Sequence, residues 1–286
     1  MRIPKYWAKS ASTVENPNGD HRRFIMWRWS DTSVSEAQQS AADALQQTIL
    51  RFQSDQQLNR YSYGRNPLRE EIIQSIKNAD GNEVGIVTRN GYGALVLNAA
   101  QAMFIDIDFP EKSAQEILAG GIGKLFGKKP AAPLPEQTYL QNIEQWSQRN
   151  SGLGLRVYRT FGGLRCLVTN EVFDPTQSSS LDLMRSFQSD PLYITLCKQQ
   201  ESFRARLTPK PWRCGADQPP SRYPWDDIQA AQRYRQWEQT YEQVAANYTT
   251  CRLVKEFGPA ETHPDVEPIL RLHDDMACAP GNLNLA

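Results

Sequence analysis

Between Glu83 and Pro110 the apolar residues stop recurring at helical spacing and begin to alternate. "EVGIVTRNGYGALVLN" holds two β-like segments around Asn90-Gly91. That dipeptide suits a two-residue hairpin turn, because both central residues can take φ > 0. The chain runs on through Ala99 and Ala100 into "MFIDIDFP", residues 103–110. A second hairpin, "GLRVYRTFGGLRCLVTN", is expected to turn at Gly162-Gly163. Strands joined by such short turns can pair only antiparallel. The expected fold class is therefore α+β, with helices packed on one face of a mainly antiparallel sheet.

The flanking segments fill in this plan. "RRFIMWRWSDTS" reads as a strand, and Ser33 with Glu36 forms an S-x-x-E box opening a helix through Ala37, Ala41, Leu45 and Ile49. "YSYGRNPLREEIIQSIKNADG" is predicted to be a second helix, with Asn66 as N-cap, Pro67 at its first position and Leu68, Ile72 and Ile76 on one face. Further helices are expected at "QTYLQNIEQWSQRN", "SLDLMRSF", "PLYITLCKQ" and "DDIQAAQRYRQWEQTYEQVAAN", and strands at "SFRARLTP", "CRLVKEF" and "VEPILRLHD". "PKPWRCGADQPPSRYPW" reads as a proline-rich loop, and the Gly/Lys/Pro-rich stretch near 119–136 as a flexible insertion. With no internal repeat and no long linker, residues 1–286 are expected to form a single domain.

Composition narrows the function. The chain carries 32 basic and 32 acidic residues, a formal net charge of zero. A protein that coats nucleic acid needs a basic surface to neutralise phosphates, so any such contact must come from a local patch. The five cysteines are scattered and never form CxxC, which fits reduced thiols rather than a disulfide framework or zinc module. The start lacks the apolar core of a signal peptide, and no 18-residue apolar run occurs. A cytoplasmic protein without a membrane span is expected.

On a strand, Met103, Ile105 and Ile107 point one way while Phe104, Asp106 and Asp108 point the other. Cα atoms two apart lie roughly 6.5–7 Å from each other, so both carboxylates can lean over one hard divalent cation such as Mg²⁺ or Mn²⁺. The other reading is an ordinary strand with an acidic outer face.

In the second hairpin, Arg156, Tyr158 and Thr160 should share a face with Arg165 and Thr169, leaving Leu164, Cys166 and Val168 for the core. Arg156, Thr160 and Arg165 are candidate phosphate-binding groups, because guanidinium donors match phosphate oxygens. A solvent-facing basic face is the alternative. Arg204 and Arg206 share one face of "SFRARLTP", with Lys210 and Arg213 following. They read as a phosphate-binding patch or as partners of Asp226 and Asp227. Trp212, Tyr223 and Trp225 can stack a base or staple a loop. His273 beside Asp274 is an additional candidate ligand site. P-loop and G-x-G-x-x-G signatures are absent.

A hydrophobic strand ending in D-x-D, followed by the glycine-turned hairpin "TFGGLR", resembles the archaeo-eukaryotic primase-polymerase superfamily over about residues 100–170. The resemblance implies RRM-like sheet elements and a divalent-metal-dependent nucleotidyltransferase or nucleotide-binding protein. Asp106 and Asp108 would be catalytic metal ligands for Mg²⁺ or Mn²⁺, and "TFGGLR" would contact the phosphates of a nucleoside triphosphate or other phosphorylated nucleotide. Single-stranded nucleic acid is the further partner implied. Arg165 stands where that family usually has histidine, a departure that bears on turnover. The family's third acid has two candidates, Asp174 and Asp274. The alternatives are a catalytically inactive nucleotide- or nucleic-acid-binding module and a metal-dependent phosphoesterase or nuclease. More of the chain, including "VYRTFGGLRCLVTNEVFDP" and "FRARLTPKPWRCG", resembles a set of bacterial proteins of unassigned function, which implies no chemistry.

Overall fold

A computed structural model describes residues 1–15, 19, 21–54, 67–110, 136–278 and 281–286. Strands β1 (Tyr6–Glu15) and β2 (His21–Ser30) form an antiparallel hairpin covered by helix α1 (Val34–Gln53). The chain continues through β3 (Glu71–Lys77), β4 (Glu83–Arg89), β5 (Leu95–Ala99), β6 (Phe104–Asp108), α2 (Glu136–Arg149), β7 (Leu155–Thr160) and β8 (Gly163–Val168). It closes with α3 (Ser178–Ser186), α4 (Pro191–Gln200), β9 (Phe203–Arg206), α5 (Ile228–Ala245), β10 (Tyr248–Thr249), β11 (Cys251–Phe257), α6 (Glu267–Ala277) and β12 (Asn284–Leu285). The fold is α+β, with two antiparallel four-stranded sheets ordered β3-β4-β5-β9 and β11-β7-β8-β6. Among the described residues, only the two-residue pair β10-β12 is parallel.

Local chemistry explains most boundaries. Ser33 Oγ accepts the Glu36 N–H at 3.2 Å and opens α1. The Glu36 carboxylate does not close the box; it accepts from Ser30 Oγ at 2.7 Å, fixing the turn out of β2. Ala37, Ala41 and Leu45 are buried one helical turn apart. The β4–β5 connection is longer than the expected two-residue turn. Asn90 Oδ1 accepts from the N–H groups of Tyr92 and Ala94, and the positive φ falls at Gly93 (+90°).

Two segments differ in type from the sequence expectation. The helix predicted from Asn66 onward is strand β3; Asn66 itself lies outside the described residues. Pairing with β4 prevails there, with register shifts at Ile72/Gln74 and Ile76/Lys77, and Ile76 is buried against Gly85 of β4. In the other direction, "VEPILRLHD" is not a strand but the start of α6. Ile269, His273 and Ala277 are buried at four-residue intervals, and a proline stands in the first turn, where its missing N–H costs nothing. β1 was not foreseen, because its residues alternate only weakly. Of the expected insertion near 119–136, all but Glu136 lies outside the described residues, and Glu136 opens α2.

The core places the site. Ile105 and Ile107 pair with Cys166 and Leu164 and face the side covered by α2 and α3, where Trp146 meets Phe187. Phe104, Tyr158 and His273 meet on the opposite face, against α6. Ile269 of the same helix reaches Gly85 of β4, so α6 packs on both sheets. The edge strands β6 and β9 meet at Tyr193, whose hydroxyl lies 3.0 Å from both Phe104 O and Arg204 O. Fully burying side chains such as Phe104 and Tyr158 contributes about 1.5–3 kcal/mol each.

Candidate functional site: an acid–base groove at the sheet junction

The ends of β6 and β9, the β7–β8 turn and the β4–β5 loop surround a groove of about 720 Å³. Asp106, Asp108, Thr160, Arg165, Arg204, Arg206 and Lys210 all line it. The sequence-level candidates from three separate stretches of chain thus share one wall-to-wall space. Six basic side chains face it against three carboxylates, Glu70, Asp106 and Asp108. The groove is cationic although the protein as a whole is neutral.

Strand register sets the acid side. Asp106 stands opposite Arg165 across the β6–β8 ladder, and Arg165 stands opposite Tyr158 across β8–β7. Arg165 is buried, with its Nε 3.5 Å from Asp106 Oδ1 and its Nη1 donating to Arg206 O at 3.0 Å. Burial is the largest influence and opposes the Arg165 charge, but Asp106, Cys251 and Tyr193 together more than offset it and raise the guanidinium pKa. Asp108 faces Gly163, where no side chain is available to pair with it. Burial, then the charges of Asp106 and Asp190, raise the Asp108 pKa. Asp190 is an acid that sequence reading missed. It caps α4, and its N–H donates to Asp106 O at 3.2 Å, so the helix start is tied to β6.

The base side shows the reverse strain. Burial and the neighbouring charges of Arg165 and Arg213 push Arg206 down to about 10, and its buried Nε has no hydrogen-bond partner among the described residues. Lys210 is lowered by burial and by Arg206 and Arg213. Cations that depress one another in this way favour a bound anion. Arg204 is different. It is held by both oxygens of Glu70, at 2.9 and 3.0 Å, and by Asn98 Oδ1, so its charge is already neutralised inside the wall. Neither Asp226 nor Asp227 is its partner: Asp226 pairs with Lys9 and Asp227 caps α5. Glu70 went unnoticed because its segment read as a helix.

The remaining candidates lie elsewhere. Arg156 shares the face of Tyr158 and Arg165 but lies outside the groove lining, where it pairs with Glu256 and Asp274, both at 3.0 Å. Asp174 is exposed and accepts from the Thr176 N–H and hydroxyl at 2.7 Å, which lowers its pKa. Asp274 accepts from Tyr158 Oη at 2.8 Å, and fully buried His273 lies behind Arg165 rather than in the groove. Among the aromatics, Tyr223 and Trp225 pack in a row with Tyr234, Trp237 and Tyr241 that fastens the proline-rich loop to α5. Half-exposed Trp212 instead meets Tyr92 at the groove, with ring centroids 5.3 Å apart.

Asp106 and Asp108 are hard oxygen donors, and burial, with the charges of Asp106 and Asp190, disfavours charge on Asp108 more than Lys210 and Arg213 favour it. That donor set fits Mg²⁺ or Mn²⁺. No protein-family model, curated protein or solved structure matches the chain.

Proposed function

We propose that the groove binds a phosphorylated nucleotide, with a divalent cation at Asp106 and Asp108, and serves a primase-polymerase-like nucleotidyl transfer. The observation supporting this reading is the placement of the carboxylates Asp106 and Asp108 opposite cations that depress one another's pKa, all in one groove. Arg206, Lys210 and Arg213 would hold phosphate oxygens, relieving their mutual repulsion. Thr160 Oγ1 accepts from the Gly163 N–H at 3.1 Å, which fixes the turn at the groove wall. Tyr92 and Trp212 would give a base an aromatic surface at the groove. When bound, Mg²⁺ or Mn²⁺ would neutralise the phosphates and favour in-line attack by a hydroxyl.

Titration calorimetry with a nucleoside triphosphate and Mn²⁺ tests the reading. Asp106→Asn is expected to abolish the metal-dependent part of binding, and unchanged binding would remove the proposal. One observation favours a second reading, binding without turnover. Arg165 occupies Asp106, leaving that carboxylate partly compensated before any metal arrives. Incorporation of labelled nucleotide into a primer separates the two readings, since only a transferase gives product. Cleavage of a labelled oligonucleotide with Mn²⁺ would point instead to a phosphoesterase.

A further inference from the structure

Behind Arg165, on the side of β8 facing α6, three side chains from distant parts of the chain converge. Cys251 opens β11, His273 lies within α6, and Cys278 caps the end of that helix. Cys251 Sγ is 3.2 Å from Cys278 Sγ and 3.8 Å from His273 Nε2, and all three ligand atoms lie within 4.8 Å of one another. We infer that Cys251, His273 and Cys278 form a binding site for one thiophilic divalent cation of the Zn²⁺ class, separate from the hard-cation site proposed in the groove.

Geometry and ligand chemistry agree. In a tetrahedral zinc site, with Zn–S about 2.3 Å and Zn–N about 2.0–2.1 Å, neighbouring sulfurs stand roughly 3.8 Å apart and a sulfur and nitrogen roughly 3.6 Å. The Cys251–His273 spacing is already close to that arrangement, and the two sulfurs would open by about 0.6 Å from their present 3.2 Å, a change within the reach of side-chain rotation. Sulfur and imidazole donors select zinc over Mg²⁺ or Mn²⁺. His273 also has the support that a ligating histidine needs. Its Nδ1 is 3.0 Å from Asp274 Oδ1, an arrangement that holds the proton on Nδ1 and leaves the Nε2 lone pair for the cation. Asp274 is in turn fixed by Tyr158 and Arg156.

The backbone is already clamped. The Thr250 N–H donates to Ala277 O at 3.1 Å, and Thr249 Oγ1 donates to the same oxygen at 2.9 Å, so the two cysteines are held together without a covalent bond. Cys251 and His273 are buried, while Cys278 is half-buried and gives the ion a route in. Binding takes both sulfurs as thiolates and would release to solvent the thiol protons they still carry. It would also take His273 Nε2 from Arg165 Nη1, which lies 3.4 Å away and keeps its bond to Arg206 O.

The test uses the full chain, reduced and stripped of metal by a chelator. Titration with Co²⁺ is expected to give thiolate-to-cobalt charge-transfer absorption and the visible bands of a tetrahedral site, saturating at one ion per chain. Zn²⁺ should displace it. Asp274→Asn is expected to weaken binding by about 10–100-fold. Cys278→Ser, at the most accessible ligand, should lose much of the charge-transfer intensity. Circular dichroism shows whether each variant folds. Asp108→Asn, in the groove and facing Gly163, should leave the cobalt spectrum unchanged, so this site and the groove succeed or fail independently. Absence of the thiolate band in the reduced wild type would overturn the inference. So would a Cys278→Ser spectrum identical to wild type, or a Cys251–Cys278 disulfide in a chain that takes up no metal when reduced.

Discussion

At the residue scale, the two aspartates of β6 have opposite consequences for stability. Asp106 compensates buried Arg165, whereas the charge of Asp108 is disfavoured by burial and then by Asp106 and Asp190. A carboxyl whose folded pKa is raised contributes stability below its unfolded value, about 3.9, and loses that contribution as pH rises through the folded pKa. Asp108→Asn is therefore expected to raise the melting temperature of the metal-free protein at pH 7, with an advantage over wild type that shrinks towards pH 4. Asp106→Asn should lower it, because buried Arg165 loses its partner. A melting temperature for Asp108→Asn below wild type at neutral pH would contradict this charge assignment. The Arg204–Glu70 pair carries a larger expectation. Both residues are more than nine-tenths buried, and removing one member of such a pair costs about 3–5 kcal/mol. Glu70→Ala should show that loss in urea unfolding, while Glu171→Ala, on an exposed surface, should move stability by no more than about 0.5 kcal/mol.

At the element scale, the β7–β8 hairpin depends on only one of its two adjacent glycines. A Cβ at Gly163 would lie 1.9 Å from Ile107 O, inside the β6–β8 ladder; a Cβ at Gly162 meets nothing closer than Asp108 Oδ1 at 3.8 Å. Gly163→Ala is expected to destabilise by roughly 1–3 kcal/mol through this overpacking and to weaken nucleotide binding by displacing Asp108. Gly162→Ala should change neither by much. Equilibrium unfolding of the two variants checks the contrast. Alternation made both strands readable, and the double glycine located the turn. It could not say which glycine the neighbouring strand needed, because β6 enters the sequence fifty residues earlier. The helix expected over β3 and the strand expected over α6 failed for a related reason. Each holds a short apolar run compatible with two periods, and its neighbour, β4 or the pair of sheets, selected one.

For the whole molecule, a neutral chain presents one cationic groove. Nucleotide affinity should fall as salt rises, because the attraction comes from a local cluster that counterions screen over about 8–10 Å at physiological ionic strength. Arg206→Gln should reduce both the affinity and its salt dependence, whereas Arg156→Gln, outside the groove lining and paired with Glu256 and Asp274, should leave the salt dependence unchanged. Calorimetry at two ionic strengths tests both. No described helix is long and apolar enough to cross a membrane.

Local pattern alone determined the antiparallel hairpins, the faces of β6, β7 and β8, and the candidates Asp106, Asp108, Arg165, Arg206 and Lys210. Side-chain alternation on a strand depends only on neighbours along the chain, and it was legible for that reason. Partnership was decided by tertiary structure. The meeting of β6 with β9 brought the acids and cations into one groove, Glu70 withdrew Arg204 by neutralising it, and Asp274 withdrew Arg156. It also joined Cys251 to His273 and Cys278, which stand 22 and 27 residues apart from it in sequence. Charge pairing and metal-ligand geometry act through space over a few ångströms, and no one-dimensional spacing records which distant residues the packing of α6 against two sheets brings that close.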